Sequence, residues 1–299
     1  MRRRKNIRLS VSDRVFTCLN WLALTVFLLV IAYPLLFVVT ASFSGGTVVM
    51  RLSPIPARWS IAGYRTVFAY KDIWTGYRNS LLYMSSGTLV SLCLTVCCAY
   101  PLSRKDLRMG KYVMALGVFT MYFTGGLIPT YLLVRDLGLL NSFWALILPG
   151  SMSVYNMIVM RTYFHSQIPG ELLDSAQMDG CGDLLFLWRI VLPLSVPILA
   201  VLGLFYAVNY WNSYFDALIY LNDRSKFSLQ VILREILVAN SADPSTMSSI
   251  EMEQVMDMES RRNVMKYAVI MVASLPVMMI YPFVQRYFVK GMMIGAIKG

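Results

Sequence analysis

The stretch ELLDSAQMDGCGDLLFLWRIVLPLSVP runs from Glu171 to Pro197 and carries the carboxylates Glu171, Asp174, Asp179 and Asp183. Pro169 precedes it, and proline suits a first helical turn. Glu171 and Asp174 fall in that turn, where negative charge complements the helix dipole. Leu172, Leu173, Ala176 and Met178 supply apolar contacts, and Gly180 and Gly182 then break the run. Leu184, Leu185, Leu187 and Trp188 form a second short apolar face. The pattern predicts helix, turn, helix, with Pro193 and Pro197 marking where the next segment begins. A helix this short is marginal in water. It needs a surface for its apolar residues, either a groove on another protein or a membrane surface. Its few basic residues argue against docking on anionic lipid.

On both sides of this polar island the chain is apolar. It is 57% hydrophobic and 14% charged, against roughly 25% charged for soluble domains. Six windows contain no Asp, Glu, Lys or Arg: 15–50, 79–103, 112–134, 137–160, 190–215 and 267–285. Each can hold the roughly 20 residues that cross hydrocarbon as a helix. Helices satisfy their backbone bonds internally, and the windows lack the alternation of barrel strands. The reading is an all-α polytopic membrane protein with six transmembrane helices. One transmembrane domain covers 15–285, between tails 1–14 and 286–299.

The basic start, MRRRKNIR, is followed by an apolar run too long for a secretory h-region, so an uncleaved first helix is expected. The net charge of +11 flanks the spans rather than forming one basic face, which argues against a nucleic-acid partner. Basic residues crowd the N-terminal tail and the 104–111 loop (Arg104, Lys105, Arg108, Lys111). That places both ends in the cytoplasm. The segment 165–193 is then cytoplasmic and 216–266 is a long external loop, a candidate contact for an external partner.

No phosphate-binding loop, H-E-x-x-H or C-x-x-C occurs. The expectation is therefore no catalytic residue, no metal and no cofactor bound by this chain. His165 is the only histidine and reads as a surface residue. Cys93 and Cys97, four apart, read as helix-packing residues rather than ligands. The windows hold no carboxylate, which argues against a proton relay. Gly125, Gly126 and Pro129 in FTGGLIPTYLL predict a weakened or bent third span, of the kind that borders transport paths. The stretch NYWNSYFD combines rings with amides and a carboxylate: Asn209, Tyr210, Trp211, Asn212, Tyr214 and Asp216. That mix suits sugar recognition and equally suits an interfacial aromatic belt.

The opening stretch also resembles a known signature. Asp174-Ser175-Ala176, three residues, Gly180, nine residues, then Ile190-x-Leu192-Pro193 matches in spacing the E-A-A loop of bacterial ABC importer permeases. Asp replaces Glu and Ser replaces the first Ala. The resemblance spans nearly the whole chain and points to maltose-type carbohydrate importers, in the complex-oligosaccharide branch. It implies a type I importer fold in a bacterial cell membrane and a second, homologous permease. It further implies two cytoplasmic ATPase subunits using ATP and Mg, and an extracytoplasmic sugar-binding protein or lipoprotein. Glu171, Asp174, Ser175, Ala176, Asp179, Gly180, Ile190, Leu192 and Pro193 would couple to the ATPases, and the tail at 291–295 would reach them. The competing readings are a stand-alone secondary transporter, which would more naturally show intramembrane charges or inverted repeats, and the same importer class with a different substrate, a uronic-acid oligosaccharide, a glycan fragment or a monosaccharide.

Overall fold

The computed structural model describes residues 10–45, 58–238, 265–282 and 285. They are mostly helical, with no strand beyond an isolated bridge between Ser44 and Trp59. In chain order the helices are α1 (Val11–Ser42), α2 (Ala62–Ala69), α3 (Lys71–Ser103), α4 (Gly110–Tyr122), α5 (Leu127–Asp136), α6 (Trp144–Ile147) and α7 (Val154–Gln167). Then come α8 (Gly170–Met178), α9 (Asp183–Phe186), a π-type turn (Leu187–Val191), α10 (Leu192–Leu194), α11 (Val196–Trp211), α12 (Phe215–Tyr220), a 3-10 turn (Arg224–Lys226), α13 (Leu229–Val238) and α14 (Met265–Pro282). The chain divides into two compact units, 1–69 with 240–272 and 70–239 with 273–299.

In the first unit a Ser10 capping box opens α1. Along its length α1 leaves large side chains such as Trp21, Phe27 and Leu28 exposed, burying only Ala41 and Ser42. A helix apolar on its open faces is suited to lipid. Its end is tied down by the Ser42 and Tyr64 hydroxyls, 2.7 Å apart.

In the second unit α3 is central, packed by α11, α7 and α13. Small residues line its buried face: Gly76, Ser80, Gly87, Ser91, Thr95 and Ala99. Their spacing of four, with one step of seven, lets backbones approach, which is how helices associate when lipid supplies no hydrophobic drive. α11 answers with tyrosines four apart. The Tyr206 and Thr95 hydroxyls lie 2.7 Å apart and those of Tyr210 and Ser91 3.0 Å apart. The Tyr210 ring crosses so close to Gly87 that a Cβ there would meet ring atoms at 2.6 Å. Gly87→Leu is expected to wedge α3 from α11, lowering the detergent-solubilised melting temperature by several degrees.

Three continuous helices, α1, α3 and α14, are long and apolar enough to span, and two bent pairs raise the number to five. One pair is α4 with α5, folded by 112°, and the other joins 183–194 to α11 at 82°. The third window therefore bends where the glycines predict: Gly126 has φ +85, and Pro129 sits in the first turn of α5. The fourth window, 137–160, is not one helix. Gly138 and Asn141 both take positive φ, Pro149-Gly150 separates α6 from α7, and α7 begins only at Val154. Arg135 and Asp136, between the third and fourth windows, form the last turn of α5. The long loop expected over 216–266 is folded in its first half as α12, the 3-10 turn and α13, because Leu229, Ile232 and Leu233 recur at helical spacing and are buried. The second half of the 216–266 segment, from 239 to 264, and the 291–295 tail lie outside the described residues.

Candidate functional site

The residues of the opening stretch form one polar corner of the second unit. Pro169, with ψ 142°, caps α8, and Glu171 lies in its first turn. Ala176 is the buried residue of α8. With Leu173 it packs into a cluster containing Tyr100, Phe164, Phe186, Leu187 and Val191. Glu171, Asp174, Ser175 and Asp179 stay exposed. Alanine at 176 is the size that lets α8 lie flat on this cluster.

The helix ends in a complete Schellman motif. Cys181 N–H donates to the Ala176 carbonyl (2.8 Å) and Gly180 N–H to the Gln177 carbonyl (3.0 Å). Gly180 is the left-handed residue at φ +76, a conformation in which L side chains are strained. The interval between Ala176 and Gly180 is thus the interval from the third-last helical residue to the residue after the cap.

Beyond the turn, Asp183 starts α9. Its carboxylate takes a hydrogen bond and ion pair from Arg104 Nη1, and its carbonyl accepts from Tyr100 Oη at 3.5 Å. Arg104 also forks onto Asp106, Nε to Oδ1 at 3.0 Å and Nη2 to Oδ2 at 2.8 Å. The hydrogen bonds to Asp106 first, then those with Tyr100 and Asp183, raise the Arg104 pKa above its ordinary value, against desolvation. The Arg104 guanidinium correspondingly holds the Asp106 carboxyl below the usual range.

The last turn of α3 leaves four carbonyls needing donors, and all four have one. Ser103 Oγ donates to Tyr100 O (2.7 Å) and Arg104 N–H to Pro101 O (3.2 Å). Arg161 Nε donates to Leu102 O (3.1 Å) and His165 Nδ1 to Ser103 O (3.1 Å). His165 is exposed, as a surface residue should be, yet it also caps a helix. It and Arg161 are four apart on one face of α7. Between α8 and this end of α3 lies a cleft of about 550 Å³, lined among others by Arg104, Lys105, His165, Glu171 and Asp174.

Ile190 and Leu192 pack on the same cluster while Pro193 is exposed. Pro193 lacks the N–H that would serve the Arg189 carbonyl. The helix widens into the π-type turn just before it and bends at Ser195, ahead of α11.

The aromatic stretch is divided by the structure. Tyr210 and Trp211 are not on an open face: they are 4% and 1% exposed. Tyr210 Oη donates to Ile147 O (3.1 Å), and Trp211 Nε1 donates to Ala273 O (3.1 Å). Asn209, Asn212, Tyr214 and Asp216 are exposed, and Arg234 lies over the Tyr214 ring at 5.4 Å. Ser213 Oγ donates to Asp216 at 3.2 Å. Gly125, Gly126 and Pro129 are exposed, in the α4–α5 bend. Cys93 and Cys97 face outward on α3, and no cluster of three potential metal ligands occurs among the described residues.

From sequence Arg104 enters only as a charge that sets topology and Tyr210 only as a candidate sugar contact; the capping by Arg161 and His165, the Arg104–Asp183 pair and the tyrosine–hydroxyl pairs of α11 are seen in the structure alone. The i,i+4 spacings of Arg161 with His165 and of Tyr206 with Tyr210 were the available signals.

A helical, apolar chain with this signature loop has the character of a transport permease. The chain belongs to the family of sugar ABC-importer permeases. It is 41% identical over 291 residues, 97% of this chain and 100% of the relative, to the polygalacturonan/rhamnogalacturonan transport system permease protein YtcP of Bacillus subtilis (strain 168). It is 38% identical over 96% of each chain to the protein LplC of the same organism. A solved bacterial ABC transporter involved in import of the acidic polysaccharide alginate contains a chain that matches with TM-score 0.83 and 33% identity. That match covers 95% of this chain and 100% of that one. No protein-family model matches the chain.

Proposed function

We propose that this permease carries an oligosaccharide bearing uronic-acid carboxylates into a bacterial cytoplasm. The observation that carries the substrate class is that a full-length relative is named for polygalacturonan and rhamnogalacturonan and the structural neighbour for alginate; both cargoes are acidic. Relatives named for arabinooligosaccharides are 26% identical.

In this reading the chain crosses the membrane six times. α1, α3 and α14 are three crossings, each bent pair is one, and α6 with α7 makes the sixth. Both ends and the 170–190 loop are cytoplasmic, with the basic 104–111 segment on the same side. The loop docks on one of two ATPase subunits, which hold ATP and Mg. A second permease completes the pore, and an external sugar-binding protein delivers cargo at the α12–α13 side. Glu171, Asp174, Ser175 and Asp179 supply the exposed face that meets the ATPase. Ala176, Gly180, Ile190, Leu192 and Pro193 hold that face in place. Closure of the ATPases on ATP moves the loop, and with it the bent 183–211 segment, exchanging inward for outward access.

Asn209, Asn212, Tyr214 and Asp216, with the α4–α5 bend at Gly125, Gly126 and Pro129, supply the exposed groups for a substrate path. The basic residues at that end are partly spoken for. Arg224 pairs with Asp72 (2.8 Å) and Glu235 (3.2 Å), and Lys226 with Asp223 (3.9 Å). Arg234 over Tyr214 is the combination that could meet a ring face and a carboxylate together.

The test is purification from native membranes in mild detergent, with co-purifying proteins identified, followed by uptake of labelled oligogalacturonide and of maltooligosaccharide. A second permease, an ATPase and a binding protein, with uptake of the acidic sugar, is the expected result. The chain alone, transporting without ATP, would overturn it. Tyr214→Ala is expected to cut uptake roughly tenfold, about 1.4 kcal/mol, with assembly intact. Unchanged uptake would remove Tyr214 from the path.

A further inference from the structure

We propose that Arg104 is a positioning residue that latches the coupling loop to α3, so that the loop and this helix move as one body; the inference rests on the coupling role just given.

Three observations carry it. From Asp179 to Leu185, Asp183 is the residue that polar bonds fasten to another element, by its carboxylate to Arg104 and by its carbonyl to Tyr100. Both donors belong to the end of α3. Next, Arg104 is itself held. Its side chain is only 14% exposed, whereas the Asp183 and Asp106 side chains are 62% and 66% exposed. The planar fork on Asp106 fixes the guanidinium plane, leaving Nη1 aimed at Asp183. An arginine clamped on one side is a fixed hook rather than a mobile surface cation.

The third observation is in the other half of α3, about 35 Å away by helical rise. There Asn79 Nδ2 donates to Ser225 O (2.8 Å) and Phe227 O (3.0 Å), and Tyr83 Oη donates to Lys226 O (2.9 Å). Ser80 Oγ accepts from Leu229 N–H (2.8 Å). The 225–229 turn is thereby fastened to α3 as firmly as the coupling loop is. One helix grips, by side-chain bonds, the segment that leads into α13 at one end and the segment that meets the ATPase at the other. Without the Arg104 latch, the outer half of the coupling loop would be held to α3 by the long Tyr100 Oη to Asp183 O bond (3.5 Å) and by apolar contacts from α8 and residues 186–192. Those contacts resist separation but not rotation.

Exposed carboxylates rehydrate when an ion pair is broken, so the latch adds little to folding. Its contribution is geometric, and it can be removed without unfolding the chain. The experiment uses the assembled importer in nanodiscs. The variants are Arg104→Gln, Asp183→Ala, the double variant and Arg104→Lys. Two quantities are read: amide hydrogen exchange at residues 180–186, and the ratio of ATP hydrolysis with and without the binding protein loaded with oligogalacturonide.

Each single variant is expected to raise exchange at 180–186 about tenfold, with 196–211 unchanged, and to cut the stimulation ratio about fivefold. The double variant should match the singles, because both remove one interaction. Arg104→Lys, a single point charge, should fall between. Three results would overturn the latch: unchanged exchange in Asp183→Ala, losses that multiply in the double variant, or failure of the Asp183→Ala importer to assemble. A native chain that purifies without ATPases would sink the functional reading instead, and exchange at 180–186 would still report on the latch.

Discussion

Gly180→Val is expected to leave the permease in the membrane beside its partner and to reduce uptake below about a tenth of the native rate. The reason is conformational. A Cβ at Gly180 meets nothing within 4 Å, so the substitution causes no collision inside this chain. What it cannot keep is φ +76. Left-handed backbone costs an L residue about 1–2 kcal/mol, and a β-branched residue is a poor occupant. The turn escapes by rotating to negative φ, which breaks the bond from Cys181 N–H to Ala176 O. Residues 181–185 then leave α8 in a new direction. The Asp183 carboxylate moves away from Arg104, and the exposed face of α8 is no longer presented as a unit with α9.

Graded substitutions separate this account from simple crowding. Gly180→Asn, which tolerates left-handed backbone, should retain most uptake, and Gly180→Ala should be intermediate. Gly182→Ala should be nearly silent, because Gly182 has φ −74. Uptake and sugar-stimulated ATP hydrolysis in reconstituted vesicles check the series. If Gly180→Asn and Gly180→Val fell equally, the loss would come from a side chain against the docked ATPase instead.

The local part of this site was readable from the chain because it is short-range. The proline before Glu171, Glu171 itself in the first turn, the apolar spacing and the glycine at the cap are set by neighbours within four residues, whereas Asp174, expected in that turn, falls in the second. Gly125 and Gly126 gave the bend between α4 and α5 for the same reason. Long-range facts were not readable. Arg104 and Asp183 are far apart in sequence, and nothing in either neighbourhood asks for the other. Thr95 and Ser91 look like tolerated polar residues in an apolar window until Tyr206 and Tyr210 lie across them. Apolar windows report that a segment suits lipid, not that it is one helix. The window at 137–160 divides at Pro149-Gly150, and that at 190–215 bends at Ser195, where the π-type turn gives way to α11. Composition averages over both breaks.

Trp211 is the sharpest instance, since the aromatic-rich NYWNSYFD pattern fits a sugar platform or a lipid belt and the structure makes it neither. The indole is fully buried, packed near Tyr77 with ring centroids 6.0 Å apart, and its N–H serves the Ala273 carbonyl. Trp211→Ala is therefore expected to act on the fold first. Removing a buried Trp side chain costs about 3–5 kcal/mol, a large share of the roughly 5–15 kcal/mol that holds a domain together, and it removes the side-chain tie to the half-buried Ala273 carbonyl. The variant should accumulate poorly, lose its partner permease on purification and melt many degrees lower. Trp211→Phe keeps most of the ring and loses the donor, for about 1–3 kcal/mol, so it should assemble with a smaller thermal shift. Tyr214→Ala, three residues on and exposed, should show the opposite pattern, with assembly retained and uptake lost. Fluorescence-detected size-exclusion chromatography across a temperature series, run beside uptake, distinguishes the two positions. A Trp211→Ala permease that assembled with native thermal stability yet failed to transport would mean that the indole leaves this pocket during the cycle and meets the sugar after all.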